Sequence, residues 1–182
     1  MKKISFLIFV CFLSFSQIHA VFSQTDESFV DKEQAELYIV RDLENDHREF
    51  LNTNIKIRPP KHFMEFSSDE LSGFMHTGTA ANIVGFEYPG RPYIDNYEGF
   101  MESLKEVDET TTFLGAEKVK THQGREGTLC FYTFQVDKVD IIRVILYTGD
   151  YNTMIFLQAN YPAAFDFLIR QVIIQSLLSV EF

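Results

Sequence analysis

The sequence predicts an α+β fold in which helices pack on the faces of an antiparallel sheet of about six strands, as an α/β/α sandwich. Four segments between residues 113 and 160 alternate apolar and polar side chains with a period of two. Their connections are too short for parallel neighbours. A mostly apolar helical segment follows Pro162, and 46% of the 182 residues are hydrophobic. These observations favour one domain with a sizeable core.

The first twenty residues are typical of a secretory signal peptide. Lys2 and Lys3 precede an almost wholly apolar run over residues 4–15, and Ala20 places a small residue before a cleavage point. The run is shorter than the roughly 20 residues of a membrane-spanning helix, so we expect no membrane span. We predict that residues 1–20 are removed and that the protein is exported, to the periplasm or outside the cell.

Residues 21–53 form an acidic N-terminal segment that we expect to be partly helical or mobile. A helix over residues 32–51 fits the spacing of the apolar side chains, although the triplet at 38–40 (YIV) also suits a strand. We predict that a single domain occupies residues 54–182.

The predicted elements of this domain follow in order along the chain. A short strand at 55–58 ends at two prolines, which cannot donate to a ladder. After it we expect a loop-rich stretch to residue 78, a strand at 82–88, a helix at about 97–107, strands at 113–121, 128–136, 141–147 and 153–160, and a helix from residue 162 to about 178. The last helix has one narrow polar stripe, so we expect it to be covered on most sides.

Four segments carry a resemblance to a known fold group: residues 55–63 (IKIRPPKHF), 82–88 (NIVGFEY), 160–162 (NYP) and 175–178 (QSLL). Together with the order of the elements, they resemble the PsbP-like fold group over residues 54–182. The resemblance implies an antiparallel sheet between helices and a binding, assembly or adaptor role rather than catalysis. Because of the signal-like start, the periplasmic DcrB-like proteins are the members most similar in setting.

Charge and cysteine content exclude several function classes. Asp and Glu number 26 against 16 Lys and Arg, a net charge of -10. Nucleic acids and anionic membrane surfaces are bound by basic surfaces, so we expect neither as a partner. Cys130 is the only cysteine after the signal segment, which leaves no intramolecular disulfide. Its apolar neighbours indicate a buried strand residue rather than a nucleophile.

Catalytic and cofactor motifs are absent from the sequence. It contains no phosphate-binding glycine loop, no zinc-hydrolase motif, no C-x-x-C and no nucleophile elbow. Residues 42–46 resemble the start of a calcium loop, but His47 stands where that loop needs glycine. We therefore expect no metal and no cofactor. As an alternative, His62 or His76 would pair with Glu65, Asp69 or Glu70 as an acid–base dyad.

The strongest binding candidate is the turn that follows the strand at 82–88. It gathers Tyr88, Arg91, Tyr93 and Tyr97 around two prolines and a glycine. Tyrosine and arginine are enriched at binding hot spots. The same residues also make ordinary rigid turns, so both interpretations stay open.

Three functions remain compatible with the sequence. The first is an exported, non-catalytic binding or accessory protein whose partner is a protein or a small molecule in the cell envelope. The second is a hydrolase-type enzyme that uses a loop histidine and a carboxylate. The third is a structural protein of envelope assembly. The lack of a nucleophile–base motif favours the first and the third over an enzyme.

Overall fold

A computed structural model of the chain describes residues 42–68, 71–93, 102 and 110–182. The predicted signal peptide at 1–20, the acidic residues 21–41 and, apart from Glu102, the predicted helix at 97–107 lie outside the described residues.

Nine strands and one α-helix are described over their full lengths, and the isolated described residue Glu102 is also helical. The strands are β1 (Arg48–Glu49), β2 (Lys56–Ile57), β3 (Met64–Ser67), β4 (Ser72–His76), β5 (Ala81–Pro89), β6 (Thr111–Lys120), β7 (Glu126–Val136), β8 (Val139–Gly149) and β9 (Thr153–Pro162). A 3-10 turn (Ala163–Phe165) leads into the helix α1 (Asp166–Leu178). The main sheet has seven strands in the order β3-β4-β5-β9-β8-β7-β6, and β1 pairs with β2 in a separate ladder.

This architecture confirms the predicted α+β class and the antiparallel sheet, and it corrects two details. The main sheet has seven strands rather than about six, because β3 and β4 lie in the stretch that was predicted to be loop-rich. The prediction of helices on both faces is wrong for the described residues, in which α1 covers one face only. The alternating strands β7, β8 and β9 carry apolar side chains on both faces, and this pattern does not specify what covers the second face.

The meander from β6 to β9 is built by short turns that the sequence marks. Val136 pairs with Val139 across a two-residue hairpin turn. Both turn residues have positive φ angles, 48° at Asp137 and 70° at Lys138. Positive angles at both positions match the right-handed twist of the flanking strands, and Asp is among the residues that tolerate them. The meander therefore forms largely from local contacts.

The larger core lies between the sheet and α1. Ile155 and Leu157 of β9 face this core, and so do Ile173 and Leu177 of α1. All four side chains are fully buried. Tyr161, at the end of β9, donates its hydroxyl to Asp166 Oδ1 at 2.9 Å. Burial and this carboxylate raise the pKa of Tyr161 well above its usual range, so the ring stays a neutral donor. The contact joins the start of α1 to the sheet.

Residues 42–53 contribute to this same core, although the sequence analysis placed them before the domain. Phe50 is only 1% exposed. Its main-chain N–H donates to Ile55 O at 3.0 Å, which closes the turn between β1 and β2. At the other end of β2, Ser176 of α1 donates its hydroxyl to Arg58 O at 2.8 Å. No helix covers the described residues 42–51, where β1 forms instead.

The opposite face of the sheet carries a second apolar cluster and a buried polar row. The cluster comprises Tyr93, Cys130, Tyr132, Ile145, Tyr147, Met154 and Phe156. In the row, Asn160 Oδ1 accepts from Arg143 Nε at 2.8 Å, and Asn160 Nδ2 donates to Asn82 Oδ1 at 3.1 Å. The row joins β8, β9 and β5 in register.

Gln158 lies on β9 beside that row, with its Nε2 at 3.5 Å from Asn160 Oδ1, and replacing it should stabilise the protein. The side chain is 2% exposed, and its Oε1 has no hydrogen-bond partner among the described residues. A buried acceptor without a partner costs about 1–3 kcal/mol. We expect Gln158→Met to raise the free energy of unfolding by about 1–2 kcal/mol in urea denaturation.

Asn160→Leu is the matched control for this prediction. Asn160 Nδ2 donates to Oδ1 of the buried Asn82, so the loss of Asn160 removes this bond from a buried acceptor and should lower the free energy of unfolding. A Gln158→Met protein that is less stable than the wild type would show that Oε1 is satisfied in solution.

Candidate functional site

Two turns meet at one end of the main sheet, and we call the surface that they form the turn surface. It comprises residues 88–93, which include the last two residues of β5, and residues 149–152, which lead from the last residue of β8 to β9. Gly90 N donates to Asn152 O at 2.7 Å, and Tyr93 N donates to Asp150 O at 3.0 Å. These two bonds continue the β5–β9 pairing beyond the sheet. Main-chain hydrogen bonds therefore join the two turns of the turn surface to each other.

Asp150 organises the second of these turns. Its Oδ1 accepts from the main-chain N–H of Asn152 at 2.7 Å and of Thr153 at 2.8 Å. These hydrogen bonds favour the charged form and hold the pKa of the Asp150 carboxyl below its usual range. Asp150 N also donates to Thr153 O at 2.9 Å. The turn is closed by its own aspartate, as in an Asx turn.

The structure brings together two of the four predicted binding residues. The Arg91 guanidinium lies 5.8 Å from the centre of the Tyr88 ring, within the range of a cation–π contact. Tyr93 is only 8% exposed, and its hydroxyl shares a 2.8 Å hydrogen bond with Thr128 Oγ1. Tyr93 thus anchors the turn from the interior. Tyr97 lies outside the described residues.

Tyr151 belongs to the turn surface but was missed by the sequence analysis. Its side chain is 72% exposed, which is unusual for a large aromatic residue. It lies sixty residues from Arg91 along the chain, and the register of β5 on β9 brings the two turns together. The sequence places Tyr151 in the short connection between the predicted strands 141–147 and 153–160, and nothing in this local pattern connects Tyr151 with Tyr88.

Two cavities border the same end of the sheet. The first, of about 560 Å³, lies beside β3 and is lined by Glu49, Phe50, Leu51, Asn52, Glu65, Phe66, Ser67, Ser72 and Gly73. The second, of about 460 Å³, is lined by Leu51, Asn52, Thr53, Ser68, Leu71, Ser72, Gly85, Phe86, Glu87, Tyr88 and Pro89. The second cavity reaches Tyr88 and so adjoins the turn surface.

His76, one of the two histidines of the enzyme alternative, has other contacts. His76 is buried, its Nδ1 lies 2.9 Å from Thr79 Oγ1, and its ring stacks on Phe63. Burial and the nearby His62 lower the pKa of His76, so the ring is neutral near pH 7. Glu65 is paired with Arg48 at 2.6 Å. Asp69 and Glu70, the other carboxylates considered, lie outside the described residues.

Cys130 lies in the interior, as the sequence predicts. Burial raises the pKa of its thiol to about 12, which leaves no nucleophilic thiolate at neutral pH. Within the described ranges, no group of three or more His, Cys, Asp or Glu side chains is arranged to hold a metal ion. The described residues also include no helix long and apolar enough to cross a membrane.

No protein-family model matches the sequence, and no curated protein matches it either. Solved structures match in shape. The solution structure of cyanobacterial PsbP from Synechocystis sp. PCC 6803 superposes with a TM-score of 0.52 and 9% identity over 75% of this chain and 91% of that chain. A crystal structure from Bacteroides thetaiotaomicron VPI-5482 gives a TM-score of 0.51 and 17% identity. It covers 70% of this chain, which spans only 44% of that one.

The crystal structure of LpqN, involved in cell envelope biogenesis of Mycobacterium tuberculosis, matches with a TM-score of 0.47 and 13% identity. The match covers 67% of this chain and 79% of that chain.

The match to cyanobacterial PsbP shows that the chain has a PsbP-like fold, which confirms the resemblance drawn from its sequence. At 9% identity the cyanobacterial match concerns the fold alone.

Proposed function

We propose that this protein is an exported, non-catalytic binding or accessory protein of the cell envelope, and that it holds its partner at the turn surface. The observation that carries the proposal is the cation–π pair of Arg91 and Tyr88 on a turn that is hydrogen-bonded to the turn of the exposed Tyr151. Aromatic and arginine side chains dominate binding energy at protein interfaces. Export is supported by the signal-like residues 1–20.

The hydrogen-bonded main chain of the turn surface favours a binding role over the role of a turn that only links two strands. Gly90 and Tyr93 are bonded through their main-chain N–H groups to the neighbouring turn, and Asp150 closes that turn. A surface that is ordered before binding loses less conformational entropy when a partner arrives. A plain connection needs neither the exposed Tyr151 nor the paired Arg91.

The test compares two double variants of the full exported chain. Arg91→Ala with Tyr151→Ala removes the exposed side chains of the turn surface. Lys120→Ala with Phe167→Ala is the matched control, because Phe167 is 78% exposed on α1 and Lys120 is exposed on β6. Both pairs should change the free energy of unfolding by no more than about 1 kcal/mol in total, since each surface substitution contributes about 0.5 kcal/mol or less.

Binding is measured by crosslinking each protein to the envelope fraction of its source cells and identifying the captured molecules by mass. We expect the wild type and the control to recover the same partner, and the turn-surface variant to recover at least roughly tenfold less, as the loss of one hot spot predicts. Equal recovery of the partner by both variants would show that the turn surface does not bind it.

A further inference from the structure

Strand β5 is longer than its neighbour on one side, which leaves an open edge. β4 pairs with residues 81–84 of β5, whereas β9 pairs with residues 82–89. Among the described strands, β5 beyond Val84 is therefore paired with β9 only. The open edge is the stretch 85–89 on the side where β4 would continue.

The main-chain groups of Glu87 point toward this open edge. Gly90 N–H donates to Asn152, on the β9 side. Along a strand, successive residues direct their N–H and C=O groups to alternate sides, so Glu87 faces away from β9. Among the described residues, no main-chain group is paired with Glu87 on that side. Pro89 has no N–H, so the usable edge ends there.

The second cavity, of about 460 Å³, adjoins the open edge, because residues 85–89 all line it. Leu71 and Ser72 border it where β4 begins, the turn residues 51–53 border it on one side, and Tyr88 and Pro89 border it at the turn surface. A neighbouring strand would lie about 4.8 Å from β5. An extended segment that entered this cavity would continue the line of β4 along the sheet.

The charge of the cavity indicates the chemistry of its occupant. Of the described residues that line it, Glu87 alone is charged. Glu87 Oε2 accepts from Asn54 N at 3.2 Å and from Asn54 Nδ2 at 3.5 Å, which orients the carboxylate. Within the described part of the chain no Lys or Arg forms an ion pair with it. The protein's net charge of -10 also attracts cationic partners.

We propose that an extended, basic segment of a protein partner adds as a strand to residues 85–89 of β5 and places a Lys or Arg side chain against the carboxylate of Glu87. Strand addition obtains its affinity from main-chain hydrogen bonds and its specificity from pockets for alternate side chains. The inference rests on the proposed binding function and assigns the class of partner, a basic peptide segment.

The probe is a random dodecapeptide library displayed on phage and selected against the full exported chain. We expect the enriched peptides to combine β-branched or aromatic residues with Lys or Arg. Binding of one synthetic enriched peptide is then measured by fluorescence anisotropy. Glu87→Gln keeps an oxygen that accepts from Asn54, so the fold is preserved, and it should weaken binding about tenfold through the lost charge. Glu117→Gln, on the exposed part of β6, is the matched control and should leave binding unchanged.

N-methylation of the peptide tests the strand geometry directly. Methylating every second amide in one register should abolish binding, and methylating the other register should not, because only one set faces β5. Three results would overturn the inference: no enriched peptide, binding that ignores both Glu87→Gln and methylation, or a dimer of this chain that protects residues 85–89 from hydrogen exchange without peptide.

The outcomes also separate this inference from the proposed function. If partner capture depends on Arg91 and Tyr151 but not on Glu87, the turn surface binds and strand addition is wrong. If the peptide binds through Glu87 while the turn-surface variant still captures its partner, the open edge is the binding site and the turn surface is not.

Discussion

Replacing Phe50 with Ala should lower the free energy of unfolding by about 3–5 kcal/mol, the range for deleting a large aromatic side chain from a core. Phe50 is 1% exposed, and its ring meets that of Phe74 edge to face at a centroid distance of 5.1 Å. It also occupies the space beside Gly85, where a Cβ would lie 3.0 Å from the Phe50 ring. The surrounding strands cannot close the cavity without moving β5, so little of this loss should be recovered by relaxation.

Leu51→Ala is the matched control, because Leu51 is the next residue and is 56% exposed. It should change the free energy of unfolding by about 0.5 kcal/mol or less. Urea denaturation followed by circular dichroism measures both variants. Similar small losses for the two would mean that the β1 turn does not pack on the core in solution, and that the folded unit begins nearer residue 54.

The sequence alone does not predict that Phe50 packs in the core, and the reason is physical. In residues 21–53, Asp and Glu outnumber Lys and Arg by nine to three, and this acidic composition indicates a solvated surface. The apolar side chains over residues 32–51 have a helical spacing, and a strand as short as β1, with two residues, gives no period-two signal to compete with it. What places Phe50 in the core is the long-range pairing of β1 with β2 and the contact with β4, neither of which is encoded locally.

The strands from β6 to β9 show the opposite situation. Their period of two extends over seven to nine residues in each predicted strand, and their turns carry glycine or aspartate at the required places. Local sequence is sufficient for such a meander. Strands β3 and β4 have four and five residues, and Gly73 and several serines interrupt their pattern. They form because the β4–β5 pairing brings Phe74 against Ile83 in the core.

The candidate site was predicted in part, for the same reason. The sequence identified Tyr88 and Arg91, which lie close together along the chain and make a cation–π contact. It could not assign Tyr93 to the interior, because its partner Thr128 lies on β7. It could not include Tyr151, because the register of β5 on β9 is a property of the folded sheet.

Gly149→Ala should be the most damaging substitution in the turn surface, with a loss of about 3 kcal/mol or more in the free energy of unfolding. Gly149 has a φ angle of +148°, a region that only glycine occupies without strain. In addition, a Cβ at this position would overlap the carbonyl oxygen of Thr153 and lie 3.0 Å from Met154 Cα. Both obstacles are main-chain atoms of the paired strand, so a side-chain rotation cannot relieve them.

Gly90→Ala separates these two effects, because Gly90 has a φ angle of +74° and a Cβ added there would meet no atom within 4 Å. It should therefore cost only the backbone strain, about 1 kcal/mol. Hydrogen exchange at the Tyr93 amide, which is bonded to Asp150 O, reports the turn surface itself. We expect faster exchange in Gly149→Ala than in Gly90→Ala, since displacement of Asp150 breaks that bond. Equal exchange and equal stability in the two variants would show that the β8–β9 turn can rearrange, and that the order of the turn surface does not depend on Gly149.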